Sequence, residues 1–220
     1  MNKATVIGSG SFGTAVASVL THNCEQVFLW GRDPQLVEAI NRRHENPTYL
    51  PGIGLPERLI ASTSLEEAVR GAELVVCATP SHVSREVLTR AAPFLPRQVP
   101  IVTVSKGIEN GTLLTMTEVL EECLPEELHP YLAVLSGPSF AKEMVQKLPT
   151  VVTVAARWDK VAVRAQQAFQ TESFRVYTSS DVVGVQLGGA LKNVIAISAG
   201  MADGLGLDRK STRLNSSHSS

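Results

Sequence analysis

A single lysine, Lys192, interrupts the otherwise apolar helical run Val-Gln-Leu-Gly-Gly-Ala-Leu-Lys-Asn-Val-Ile-Ala-Ile-Ser-Ala-Gly-Met-Ala at residues 185–202. Burying an ammonium without a partner is costly, so a lysine in this setting is expected to have a chemical reason to be there. Desolvation would lower its pKa, as would a second cation converging on it, and it could then exchange a proton near neutral pH. Gly188 and Gly189 lie one turn earlier and leave room beside the ammonium, while Asn193 adds a donor and an acceptor. The bland alternative is a lysine that snorkels from an apolar helix to solvent.

At the other end the chain opens with Gly8-Ser-Gly10-Ser-Phe-Gly13, between a strand expected at 4–7 and a helix at 13–22. In that context Gly8 permits a tight turn, Gly10 lets the backbone approach a pyrophosphate, and Gly13 lets the helix pack on the sheet. The N–H groups of Ser11, Phe12 and Gly13 would face the phosphates with the helix dipole behind them. The second strand ends in Trp30-Gly31-Arg32-Asp33, with no carboxylate directly at its tip. Arg32 could stack on adenine or pair with a 2′-phosphate. Asp33 could bind a ribose hydroxyl or simply cap the helix that Pro34 begins. The cofactor is therefore NADP or NAD, and with Lys192 the expected chemistry is hydride transfer with acid/base help.

Two further turns follow strands. Lys106 comes just after a strand at 101–104, and Ser136-Gly-Pro-Ser-Phe-Ala141 just after one at 132–135. Ligands of open parallel sheets bind outside the carboxyl ends of the strands, so both turns are expected at the site. Gly137 and Ser139 could offer an N–H and a hydroxyl to a small oxygen-rich substrate. The alternatives are a solvated loop lysine and a plain turn with Ser139 as a helix cap.

Strand and helix alternate down to about residue 180. Further strands are expected at 27–30, 74–78, 151–155 and 174–178, and helices at 34–41, 64–70, 83–92, 113–122 and 161–170. The stretch 46–56 reads as a proline- and glycine-punctuated loop. The implied fold is α/β, a doubly wound and mainly parallel Rossmann-type sheet. It is followed from 181 by the first helix of an all-helical domain, with the boundary near Ser180.

Composition narrows the partners. With 44% hydrophobic and 19% charged residues the chain suits a well-cored globular protein. A net charge of −1 and 5% aromatics speak against nucleic acid and an anionic membrane surface, so an anionic ligand must be held by a few local groups. Cys24, Cys77 and Cys123 lack metal-ligand spacing and read as buried thiols of a reducing, cytoplasmic compartment. No metal site is expected. Gln186, Lys192 and Asn193 break the apolar helix enough to favour close packing in protein over a membrane span.

These motifs together resemble the NAD(P)-dependent glycerol-3-phosphate dehydrogenase family in its bacterial form. The matching stretches are 8–15, Pro-Ser-His at 80–82, Ser-Lys-Gly-Ile-Glu at 105–109, 136–143 and 184–196, in order across nearly the whole chain. The resemblance implies reduction of dihydroxyacetone phosphate to sn-glycerol 3-phosphate, a precursor of glycerophospholipids. It implies cofactor contacts from Ser11, Phe12, Arg32, Lys106 and Ala141. Lys106, Gly137, Ser139 and Lys192 would contact substrate, with Lys192 as proton donor and acceptor and Asn193 beside it. It also implies a homodimer at full length.

The family's helical domain carries a substrate-holding aspartate and a Ser-Arg-Asn stretch; no Ser-Arg-Asn stretch follows Leu207 here, and the one aspartate after it, Asp208, opens the suspect tail. Residues 208–220, which include Arg209 and Arg213, are polar without period and are expected to be a non-native tail on a truncated chain. On that reading these 220 residues alone are not a competent enzyme. Two rival readings remain open at this point. One is another Rossmann-plus-helical dehydrogenase of the 6-phosphogluconate or 3-hydroxyacyl-CoA type. The other is a non-catalytic NAD(P) sensor, which has no use for a lysine in an apolar helix.

Overall fold

Leu74, Val75, Val76 and Cys77 are consecutive and each no more than 2% exposed, a pattern that fits a strand covered on both faces. A computed structural model, which describes residues 1–207, places this run at the middle of an eight-stranded sheet. The chain runs β1 (Lys3–Ile7), α1 (Ser11–Leu20), β2 (Gln26–Trp30), α2 (Pro34–Arg43), β3 (Glu45–Asn46), β4 (Leu50–Gly54) and β5 (Leu59–Ser62). It continues through α3 (Leu65–Val69), β6 (Leu74–Cys77), α4 (Ser81–Ala91), β7 (Ile101–Thr103), α5 (Met116–Cys123) and β8 (Leu132–Ser136). Last come α6 (Ala141–Val145), β9 (Thr150–Ala156), α7 (Asp159–Phe169), β10 (Phe174–Ser179) and α8 (Val182–Gly204).

The spatial order of the large sheet is β10-β9-β8-β7-β6-β1-β2-β5. All its pairings are parallel except β8 with β9. That exception has a simple cause: α6 has five residues, too few to carry the chain back along the sheet for a parallel return. The mainly parallel doubly wound reading therefore holds. α7 shows how the layers meet, burying Val161, Ala162, Ala165, Ala168 and Phe169 along one helical stripe.

Three local expectations are revised. The stretch 46–56 is not all loop, because β3 and β4 pair antiparallel within it. Asn46 is fully buried, its Nδ2 donating to Ser9 O (3.0 Å) and Thr14 Oγ1 (2.8 Å), while Leu50 is 1% exposed. Burial of a fully bonded asparagine folds the segment against α1, and no local periodicity announces that. The edge strand β5 was not foreseen, since its four residues gain strand character only by pairing with β2. Helix α5 starts at Met116 rather than 113: Leu113 has φ 61°, and Thr115 with Glu118 forms a capping box.

Cys24 and Cys77 are buried and Cys123 half-buried, all three as free thiols. Helix α8 departs furthest from expectation. Asp181 caps it, accepting from Gly184 N–H at 2.8 Å, but among its 23 residues only Gln186 is buried. It meets β8 and β9, and every residue from 191 to 201 is exposed. By length and composition it could cross a membrane, with 6% of its apolar window buried. The close packing expected for it is not made among the described residues.

Candidate functional site

The carboxyl ends of β1, β2, β7 and β8 open on the same edge of the sheet, and the turns after them carry the residues singled out above. After β1 the chain reverses into α1. Gly8 has φ +123°, and a Cβ there would lie 2.7 Å from the Ala78 carbonyl oxygen, so both its conformation and its neighbour demand glycine. Gly13 presses on the Gly8 carbonyl with no space for a side chain. Gly10 differs, because a Cβ there would meet nothing within 4 Å. The surface over Gly10 is therefore open, and the unpaired first-turn N–H groups of the ten-residue α1 lie beside it. That is the shape and polarity a pyrophosphate needs. The Ser11 hydroxyl donates to Tyr49 O at 2.8 Å, tying the loop to the β3–β4 hairpin.

At the tip of β2, Asp33 serves as the cap of α2, its Oδ1 accepting from Gln35 N–H at 2.9 Å. Arg32 beside it is exposed. Of the two ribose-side candidates, both of them exposed, Asp33 is thus engaged as a helix cap. A dinucleotide fits this end of the sheet.

Lys106 is half-buried beyond β7. Its Nζ donates to Gly137 O at 3.1 Å and to Ser139 Oγ at 3.4 Å, and lies 5.3 Å from the centroid of the Phe12 ring. The phosphate loop, the Lys106 loop and the turn after β8 thus converge on one ammonium group. Gly137 takes part through its carbonyl, and its close approach to Val151 O and Val152 Cα leaves no room for a Cβ. Ser139 is 8% exposed. Ala141 starts α6, which packs against α1, so it lies near the loop without presenting a polar group. Burial lowers the Lys106 pKa, and the positive charge of Lys192 lowers it further.

Lys192 itself is exposed, and its Nζ donates to Asn193 Oδ1 at 2.6 Å. Among the described residues the burial therefore falls on Lys106 and not on Lys192, which lies in the exposed stretch 191–201 of α8. Of the two glycines, Gly188 leaves open space, whereas Gly189 sits tightly on Ser136 and beside the Lys106 stem. Lys192 is near enough for its charge to act on Lys106.

One supporting group was missed. The Arg85 guanidinium, on α4, grips Glu109 (Nε to Oε1 3.0 Å, Nη2 to Oε2 2.7 Å) and also reaches Glu122 on α5 at 2.8 Å. Thr112 Oγ1 adds a bond to Glu109 at 2.7 Å. The Arg85 guanidinium, helped by Thr112, holds the Glu109 carboxyl below its ordinary pKa. Glu109 belongs to the Ser-Lys-Gly-Ile-Glu stretch, so its presence was visible; its partner, 24 residues away on another helix, was not. Among the described residues no group of three His, Cys, Asp or Glu is placed to hold a metal.

Comparison with known proteins bears on the same residues. A family model described as the N-terminus of NAD-dependent glycerol-3-phosphate dehydrogenase matches residues 3–162, and the corresponding C-terminus model matches 181–216. A glycerol-3-phosphate dehydrogenase [NAD(P)+] from Myxococcus xanthus is 71% identical over 205 residues, covering 93% of this chain and 61% of that protein. Its counterpart from Anaeromyxobacter dehalogenans is 55% identical over 204 residues, with the same coverage. The crystal structure of glycerol-3-phosphate dehydrogenase from Coxiella burnetii superposes with a TM-score of 0.82 at 33% identity, over 95% of this chain and 63% of that one. The chain spans about three-fifths of the length of the curated relatives it matches. With its phosphate loop, its lysine-bearing turns and its sheet order all lying inside those matches, the chain belongs to the NAD-dependent glycerol-3-phosphate dehydrogenase family.

Proposed function

We propose that this chain supplies the cofactor-binding part, and the proton-transferring lysine, of an NAD(P)-dependent reductase that converts dihydroxyacetone phosphate to sn-glycerol 3-phosphate. The observation that carries the reading is the convergence of Phe12, Lys106, Gly137 and Ser139 at one edge of the sheet. It joins the dinucleotide end to a cationic, hydroxyl-bearing pocket. Gly8, Gly10 and Gly13 shape the pyrophosphate turn, Ser11 and Phe12 offer N–H groups, Arg32 reaches the adenosine ribose, and Lys106 and Ala141 border the nicotinamide end. A dinucleotide bound there supplies hydride to a carbonyl carbon. Lys106, Gly137 and Ser139 hold the substrate. The Lys192 ammonium, steadied by Asn193, neutralises the developing alkoxide and gives up a proton to it, and takes the proton back in the reverse direction.

Two cations at the site of a chain with net charge −1 suit a phosphorylated substrate and tell against a neutral one. The remaining elements of the reading are a first domain at 1–180, a helical one from 181, a cytoplasmic setting without a membrane span, a role in glycerophospholipid supply, and a homodimer. The non-native character expected for 208–220 lies outside the described residues.

The test uses a chain continued to the length of its relatives, assayed with NADH and NADPH against dihydroxyacetone phosphate, 6-phosphogluconate and a 3-hydroxyacyl-CoA. Turnover confined to the first substrate supports the reading. Turnover on either of the others, or tight cofactor binding with none, refutes it.

A further inference from the structure

Gln186 is the one buried residue of α8, and its carboxamide closes on Thr117 in α5. Oε1 accepts from the Thr117 N–H at 2.9 Å, and Nε2 donates to Thr117 Oγ1 at 2.7 Å. Thr117 is equally buried, at 8% exposed, and its N–H is one of the donors left over in the first turn of α5. A carboxamide fits this place because it accepts and donates at once.

What this pair joins gives it meaning. Two residues before Thr117, the cap residue Thr115 bridges antiparallel to Ile108, and Glu109 N–H bonds Leu114 O at 2.9 Å. The segment running into α5 is thus the return strand of the loop that carries Lys106. On the other side, α8 continues its contact one turn at a time. Gly189, three residues beyond Gln186, rests on Ser136 and the Lys106 stem, and Lys192 follows after three more. The two ammonium groups repel each other, since the Lys192 charge is felt at Lys106. Something other than their own interaction must keep them together before an anion arrives.

We propose that Gln186 is a positioning residue, whose paired hydrogen bonds to Thr117 hold the Lys106 loop and the Lys192 helix at one separation, so that both ammonium groups meet the same phosphorylated carbonyl substrate. This rests on the roles given above to the two lysines.

The experiment is a double-mutant cycle on turnover in the chain continued to the length of its relatives. It combines Gln186→Met with Lys192→Met, with thermal midpoints and cofactor affinity followed throughout. Gln186→Met in the Lys192 background should lower kcat by roughly tenfold to a hundredfold, the effect of a reacting group displaced by about an ångström. Cofactor affinity should not change. In the Lys192→Met background the same substitution should add less than about a twofold loss, because its effect passes through a group already gone. Thr117→Val, which keeps the fold's volume and removes one of the two bonds, should show the same pattern more weakly, and Thr117→Ser should restore turnover. Equal losses in both backgrounds, or none in the native one, would overturn the proposal while leaving Lys192 in place. Native turnover in Lys192→Met alone would overturn the assignment of Lys192, and the positioning role with it.

Discussion

Between Gly8 and Gly13 the chain meets its own backbone, with carbonyl oxygens of Gly8 and Ala78 where side chains would otherwise stand. Around Lys106 it meets Phe12, Gly137 and Ser139, while the pairs Arg85–Glu109 and Gln186–Thr117 tie together the segments that carry Lys106 and Lys192. The first region is specified within six consecutive residues. The second is assembled over more than a hundred and holds two like charges together. A backbone cradle tolerates few residue types but needs little help from elsewhere. A cationic pocket accepts ordinary side chains, and the elements that carry it are joined by distant ties such as Arg85–Glu109 and Gln186–Thr117.

The sharpest way to separate the two regions is Lys192→Met in a chain continued to the length of its relatives. Turnover should fall by roughly 10²–10⁴-fold, the contribution of a positioned proton donor together with charge stabilisation. Cofactor affinity, measured by calorimetric titration, should stay at the native level. A matching loss of affinity would mean that the regions are not separable.

Arg32→Ala addresses the cradle instead. If the exposed guanidinium pairs with a 2′-phosphate, NADPH binding should weaken by about 1.5–3 kcal/mol, the worth of a charge-assisted hydrogen bond, with NADH nearly unaffected. Equal weakening of both would point to stacking on adenine.

Within the cradle, Gly8→Ala should destabilise the chain by about 1–3 kcal/mol in urea unfolding, for a strained backbone that must also move off the Ala78 carbonyl. Gly10→Ala should leave the unfolding midpoint unchanged and weaken the dinucleotide, since its Cβ would enter open space meant for a ligand. Similar behaviour of the two would remove the distinction drawn between a packing glycine and a ligand glycine.

The smallest effect concerns pH. Arg85 and Thr112 hold the Glu109 pKa below its ordinary value, so the folded state favours the carboxylate. The resulting stabilisation is complete above the unfolded carboxylate pKa of about 4.3 and is lost as pH falls through the lower folded value. Glu109→Gln should therefore flatten the acid limb of a stability profile without altering it at neutral pH beyond the loss of the ion pair itself. An acid limb as steep as the native one would show that the tie to Arg85 contributes nothing.

Much was legible in the residues themselves. The glycine spacing located the cradle, because tight turns and close approaches are demands on single positions. Apolar runs located seven of the eight strands of the main sheet, because burial on both faces leaves a local trace. Asp33 before Pro34 read as either a ribose ligand or a helix cap, and the structure shows it capping α2. Lys106, Gly137 and Ser139 were named from their places after strands, since the carboxyl edge of an open sheet is where its turns collect. Tertiary structure alone decided the rest. Asn46 and β5 take their roles from partners that their own neighbours in the chain do not reveal. Above all, the apolar character of 185–202 suggested a buried Lys192, but hydrophobicity is a property of a segment and burial a property of what lies against it. Here nothing among the described residues covers Lys192, while Lys106, on a loop with no apolar pattern to announce its burial, is the ammonium that three converging turns desolvate.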